Sequence, residues 1–152
     1  MAYTPSVPLS FNLDLSREER NGSRPFGASF GFSHVIEVAE PIDYKTTNLD
    51  AHLEYSKQQG TLRVGYYTSI FENEVQTLVW DNPYRITDQT YSGAYSSGNG
   101  SVLGQLALAP SNTAQKIYIK GSFKPVKSTR LSGSISYGLF SQDEKLLPYT
   151  VN

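Results

Sequence analysis

The residues able to do chemistry are few and thinly spread. Asp50, His52 and Glu54 alternate along one stretch, so on an extended strand they share a face and could relay a proton or hold a weak metal. One imidazole with two carboxylates is a thin ligand set, His34 being the only other histidine, and an inward-facing polar row is the commoner meaning of such spacing. Glu18 and Glu19, flanked by Arg17 and Arg20, have the composition of an acid/base pair. Neighbours on a strand or turn point apart, however, whereas acid/base catalysis needs side chains converging on one atom; a solvated turn is the simpler reading. The one Gly-x-Ser-x-Gly run, Gly27-Ala28-Ser29-Phe30-Gly31, lies in a chain that reads as β throughout and so lacks the helix that a nucleophile elbow opens, and no glycine loop suited to phosphate occurs. Cysteine is absent, which removes thiol catalysis, thiolate metal sites, disulfides and covalent haem attachment to this chain. No catalytic, cofactor-binding or metal-binding residue is expected, and the chain reads as a non-enzyme.

What remains is charge arranged in rows. Lys116, Lys120, Lys124 and Arg130 form a local basic strip, whereas Asp50, Glu54 and Arg63 mix signs. Over all 152 residues, 13 Lys and Arg face 14 Asp and Glu, so the net charge of -1 lacks the basic excess of a nucleic-acid binder. Only 18% of residues are charged, against about 25% in an average globular protein.

The elements that position these rows read as β throughout, because period-2 alternation recurs and helical stripes are scarce. Leu9, Phe11, Leu13 and Leu15 alternate with Ser10, Asn12, Asp14 and Ser16. Leu49, Ala51, Leu53 and Tyr55 do so with Asp50, His52, Glu54 and Ser56; past the turn Lys57-Gln58-Gln59-Gly60, Leu62, Val64, Tyr66 and Ile70 oppose Arg63, Gly65, Tyr67 and Ser69. A second hairpin sets Ile117, Ile119, Gly121 and Phe123 beside Leu131, Ile135, Tyr137 and Leu139, with Pro125-Val126-Lys127-Ser128 as its turn and Ser132, Ser134 and Ser136 on the polar side. About five spans result, near residues 9–16, 45–56, 61–72, 114–124 and 129–141, separated by long loops at about 17–43 and 74–113. The run Gly27 to Glu37 reads as a loop strand or inward fold, since a sixth crossing there would break the loop parity.

Long and short connections alternate, which in an antiparallel meander gathers the tight turns at one end, as in outer-membrane barrels. Spans of ~10–12 residues tilted by ~45° cover the apolar band of such a barrel, whereas soluble strands more often stop at ~5–6. None of the apolar rows carries a charge. Tyr44, Tyr55, Tyr66, Tyr67, Tyr137 and Tyr149 suit an interfacial girdle, or alternatively the stacking of sugars by a soluble β-sandwich. Alternation alone leaves both open, because the apolar face of a sandwich is its core. The start, Met1-Ala2-Tyr3-Thr4-Pro5, has neither basic nor apolar signal-peptide regions, so the chain is cytosolic, a mature form or an excised piece of something longer.

The ordered series Arg20-Asn21-Gly22-Ser23-Arg24-Pro25-Phe26-Gly27-Ala28-Ser29-Phe30-Gly31-Phe32, Glu40-Pro41-Ile42-Asp43-Tyr44-Lys45-Thr46, Leu53-Glu54-Tyr55, Gly65-Tyr66, Ser69-Ile70-Phe71-Glu72-Asn73, Trp80-Asp81-Asn82-Pro83, Leu106-Ala107-Leu108-Ala109-Pro110 and Leu146-Leu147-Pro148-Tyr149-Thr150 resembles the MtrB/PioB family of decahaem-associated outer-membrane β-barrels. The resemblance implies residence in a bacterial outer membrane and a barrel that sheathes a multihaem c-type cytochrome for electron transfer across it. The haems belong to that partner, and the chain needs no cofactor of its own. Lipid is expected on one face and the cytochrome on the other, at Glu54, Arg63, Lys116, Lys120 and Arg130. Family members are several times longer, with a signal peptide and often a Cys-x-x-Cys near the start, so residues 1–152 are expected to be a single internal barrel segment. The expected fold is all-β, an antiparallel up-and-down meander forming part of a large transmembrane barrel. A solute porin segment and a soluble carbohydrate-binding β-sandwich are the competing functions.

Overall fold

The computed structural model describes residues 2–3, 8–29, 35–81, 83, 103–142 and 144–145. All regular structure among them is strand: β1 (Ala2–Tyr3), β2 (Leu9–Ser29), β3 (Val35–Lys57), β4 (Gly60–Asn73), β5 (Thr77–Asp81), β6 (Leu103–Ala107), β7 (Asn112–Val126) and β8 (Thr129–Ser141). Six form one sheet in the order β1-β2-β3-β4-β7-β8, and β5 pairs with β6 in a separate two-stranded ribbon. The fold is thus an antiparallel meander into which one short hairpin is inserted. The chain divides into two compact units.

The first unit comprises Met1–Glu18, Thr46–Phe71 and Asn112–Gln142. Its register aligns like with like. The outward face stacks Val64, Ile119 and Ile135 on one rung and Tyr66, Ile117 and Tyr137 on another, while the opposite face aligns Arg63, Lys120 and Ser134. Two-residue turns, Gln58–Gln59 and Lys127–Ser128, close the two hairpins. They lie at the same end, where the Lys124 amide donates to the Gln59 carbonyl at 2.7 Å. Pro125, which cannot donate to a ladder, is accommodated by a register shift between Phe123 and Val126 and so belongs to β7 itself.

The apolar rows are uncovered. Leu9, Leu15, Leu53, Leu62, Ile117, Ile119, Leu131 and Leu139 are all exposed, and Ile135 is 78% exposed. From the rung Gly60–Phe123–Leu131 to the rung Ile70–Thr113–Ser141, this face carries no charged residue on β4, β7 or β8. At ~3.4 Å per residue and a tilt of ~45°, that stretch covers about 24 Å, matching the ~25 Å apolar band of an outer-membrane barrel. A soluble sandwich would lay a second sheet over such a face, and none covers it among the described residues. Tyr55, Tyr66 and Tyr137 lie in the outward rows. Tyr67 does not: its hydroxyl donates to Asn48 Oδ1 at 3.1 Å on the polar face. Tyr149 falls outside the described residues, as does His34.

The second unit comprises Glu19–Lys45, Glu72–Ser111 and Asp143–Asn152. Here the structure corrects the expectation of long loops at about 17–43 and 74–113: β5 and β6 occupy the two sides of the second, with residues 82 and 84–102 outside the described set. β2 runs on to Ser29 and β3 begins at Val35, so Gly27 to Glu37 joins the end of one strand to the start of the next, with residues 30–34 outside the described set. Residues 17–24 are polar at almost every position and thus lack alternation, yet strand pairing uses the backbone and does not require it. Gly22 takes φ +153°, a conformation that side chains disfavour, which lets β2 continue where Asn21-Gly22 reads as a break. Ala28, Leu78, Trp80 and Leu108 form a small buried core flanked by Phe26, Ile36 and Val38.

Candidate functional site

On the polar face of the first unit, the charged and hydroxylic side chains are brought together by register. Arg63 on β4 donates through Nε to Glu54 Oε2 on β3 at 2.9 Å, and its Nη2 completes an ion pair with the same oxygen. Asp50 gathers two partners. His52 Nδ1 lies 2.8 Å from Oδ1, and the Tyr118 hydroxyl approaches both carboxylate oxygens at 3.2 Å. Tyr118 is only 8% exposed, and its ring lies over Gly65, its register partner on β4. A Cβ at residue 65 would collide with that ring, so the glycine is what allows an aromatic to lie flat across the strand. Lys120 Nζ sits 5.2 Å from the Tyr118 ring centroid and Lys116 Nζ 6.0 Å, close enough for cation–π attraction. Lys116 also lies 5.6 Å from the Tyr67 ring.

The five residues expected to face a partner all lie on this surface. Glu54, Arg63, Lys120 and Arg130 line one open groove of about 450 Å³ together with Thr61, Ser122, Ser132 and Ser134. Lys116 lines a neighbouring hollow with Asp50, His52 and Tyr118. Arg130 Nη2 donates to Ser122 Oγ at 3.0 Å, and Ser122 also shares a 2.9 Å hydrogen bond with Thr61. Asp50, His52 and Glu54 share the face expected of them but split between different partners. No group of three metal-ligating side chains occurs among the described residues. Glu18 and Glu19 occupy successive positions of β2 rather than a turn.

The second unit holds contacts that sequence reading did not reach. Arg24 on β2 binds Glu40 on β3 in a two-pronged pair, Nε to Oε2 at 2.9 Å and Nη2 to Oε1 at 2.7 Å. The Glu40 side chain is 3% exposed and that of Arg24 is 59% exposed, so a solvated cation holds a buried carboxylate. This hydrogen bonding and the attached charge raise the Arg24 pKa further above its ordinary value. Lys45 Nζ donates to Glu74 Oε1 at 2.8 Å and holds the Glu74 carboxyl below its usual range. Buried Asn73 accepts a hydrogen bond at Oδ1 from the Val75 amide, donates through its side-chain nitrogen to the Ala109 carbonyl, and donates through its backbone amide to Ser111 Oγ. Trp80 on β5 covers Gly104 on β6 as Tyr118 covers Gly65, and tilts 56° against Phe26 at 6.4 Å. A glycine at an alternating strand position facing an aromatic across the ladder is the sequence sign of both pairs.

Residues 1–152 match the family model described as "outer membrane beta-barrel porin, MtrB/PioB". The chain is also similar to the outer membrane protein MtrB of Shewanella baltica (strain OS185), with 28% identity over 138 residues. That alignment covers 91% of this chain and 18% of the relative, so the chain spans under a fifth of the length of the curated protein it matches. An all-β sheet with one lipid-compatible face and one polar face is what that family requires, and the chain belongs to the MtrB/PioB family of outer-membrane β-barrel porins.

Proposed function

We propose that this chain forms part of the wall of an outer-membrane barrel that sheathes a multihaem c-type cytochrome, holding it in place for electron transfer across the membrane. The observation that carries the reading is the two-sided sheet. On β4, β7 and β8 one face is free of charge over the thickness of an apolar bilayer core, while the other face of the sheet holds Glu54, Arg63, Lys116, Lys120 and Arg130 where a lumenal partner would sit. The barrel's part is positioning and insulation: the outward rows satisfy the lipid, and the inward rows offer charge and hydrogen bonds to a protein surface. The haems are the partner's, consistent with a chain that has no cysteine to attach one.

The test uses the full-length barrel protein in outer membranes, with a photo-crosslinking residue replacing Lys116 or Lys120. The expected result is a light-dependent adduct that carries haem-linked peroxidase activity. Free access of a water-soluble reagent to both positions, with no haem-bearing adduct, would instead establish an open solute pore.

A further inference from the structure

Lys120 and Arg130 have no counter-ion among the described residues. Among the described residues, the polar or ring partner of the Lys120 side chain is the Tyr118 ring, and that of Arg130 is Ser122 Oγ. Arg63, which completes the groove, is neutralised by Glu54. The polar rows of β4, β7 and β8 contribute Arg63, Lys116, Lys120, Lys124 and Arg130 and no carboxylate, so the negative charge nearby comes from β3 and is already engaged. Around the two free cations the strands carry Ser122, Ser132 and Ser134, small hydroxyls that leave room above the sheet and can donate hydrogen bonds.

We infer that this groove is a carboxylate-binding site, which receives an acidic group of the protein seated in the lumen between Lys120 and Arg130. Cation and hydroxyl donors on adjacent strands can meet both oxygens of a planar carboxylate, the Arg130 guanidinium offering its remaining donors and Lys120 a point charge. The occupant is a protein carboxylate rather than a diffusible anion, because the groove is wide and open. A lone small ion would be held by only two cations in water, whereas a docked protein surface excludes that water and strengthens each contact. Glu54 sharpens the choice by neutralising Arg63, which leaves Lys120 and Arg130 as the uncompensated cations of the groove. The site rests on the sheath reading and names the chemistry of the partner surface that it fits.

The experiment uses the full-length barrel protein purified with whatever haem protein accompanies it. The unaltered protein is compared with Lys120→Glu/Arg130→Glu and with the neutral Lys120→Gln/Arg130→Gln, each first shown to fold by its heat-dependent electrophoretic shift. The co-purified haem protein retained at about 0.1 M salt is expected to fall by about tenfold for the reversed variant and less for the neutral one. The difference should shrink towards 1 M salt, where the screening length falls to about 3 Å. Equal retention by all three would overturn the carboxylate site and leave the sheath reading standing. Failure of the unaltered protein to bring down any haem protein would overturn the sheath reading itself. A variant that keeps the haem protein but loses anion selectivity in planar-bilayer conductance would assign the cations to a diffusible anion and overturn the choice of occupant.

Discussion

Replacing Gly65 by valine would drive a side chain into the Tyr118 ring and lift its hydroxyl from Asp50. The cost should be about 1–3 kcal/mol, read as a lower urea midpoint for the lipid-reconstituted protein. Gly133→Ala is the control, because nothing lies within 4 Å of the added carbon, and it should be nearly neutral. The Lys45–Glu74 pair gives a residue-level pH dependence. Because Lys45 lowers the Glu74 pKa, the pair contributes fully above the ordinary glutamate range, and the contribution fades as pH falls through that range towards the lowered value. Protease resistance of the folded protein across that range should show this component, and Glu74→Gln should remove it. The charged rows themselves were legible in the sequence, since spacing by two puts residues on one face. Which cation meets which carboxylate was not, because that depends on register between strands: Arg63 finds Glu54 across a two-residue turn, while Asp50 is reached by Tyr118 from a distant part of the chain.

Among the elements, β4, β7 and β8 announce themselves by alternation because one face meets an apolar phase. β2 from Arg17 onward and the first half of β3 do not, since residues such as Arg17, Glu18, Glu19 and Arg20 are polar on both sides while the strand continues through them. The β5–β6 hairpin was hidden for a different reason. Its strands are five residues each and lie inside a stretch whose composition reads as loop, and its stability rests on Trp80 closing over Gly104. Gly104→Val should therefore displace the indole and loosen the hairpin. Trp80 is the single tryptophan of the chain, so the displacement is read directly as a red shift of intrinsic fluorescence.

For the whole molecule, the two faces make opposite predictions for the same new charge. Ile119→Lys, on the outward row, should cost about 2–4 kcal/mol in the folding equilibrium measured in lipid vesicles. Ser134→Lys, one strand away on the polar row, should cost far less. The all-β class and the two-faced sheet were legible because lipid imposes the same period on β4, β7 and β8; the insertion of a separately packed hairpin was not, because nothing periodic marks it. The charge-free band also has a thickness, and thickness sorts membranes. A band of about 24 Å is shorter than the ~30 Å hydrocarbon core of a typical bilayer, so in such a membrane the lipid must thin or the strands must stand more upright, at a fraction of a kcal/mol for each ångström of mismatch. Bacterial outer membranes are thinner than average, which relieves this mismatch. Short-chain lipids should accordingly accept the refolding protein more completely than long-chain ones, so acyl length becomes a second address written into the wall.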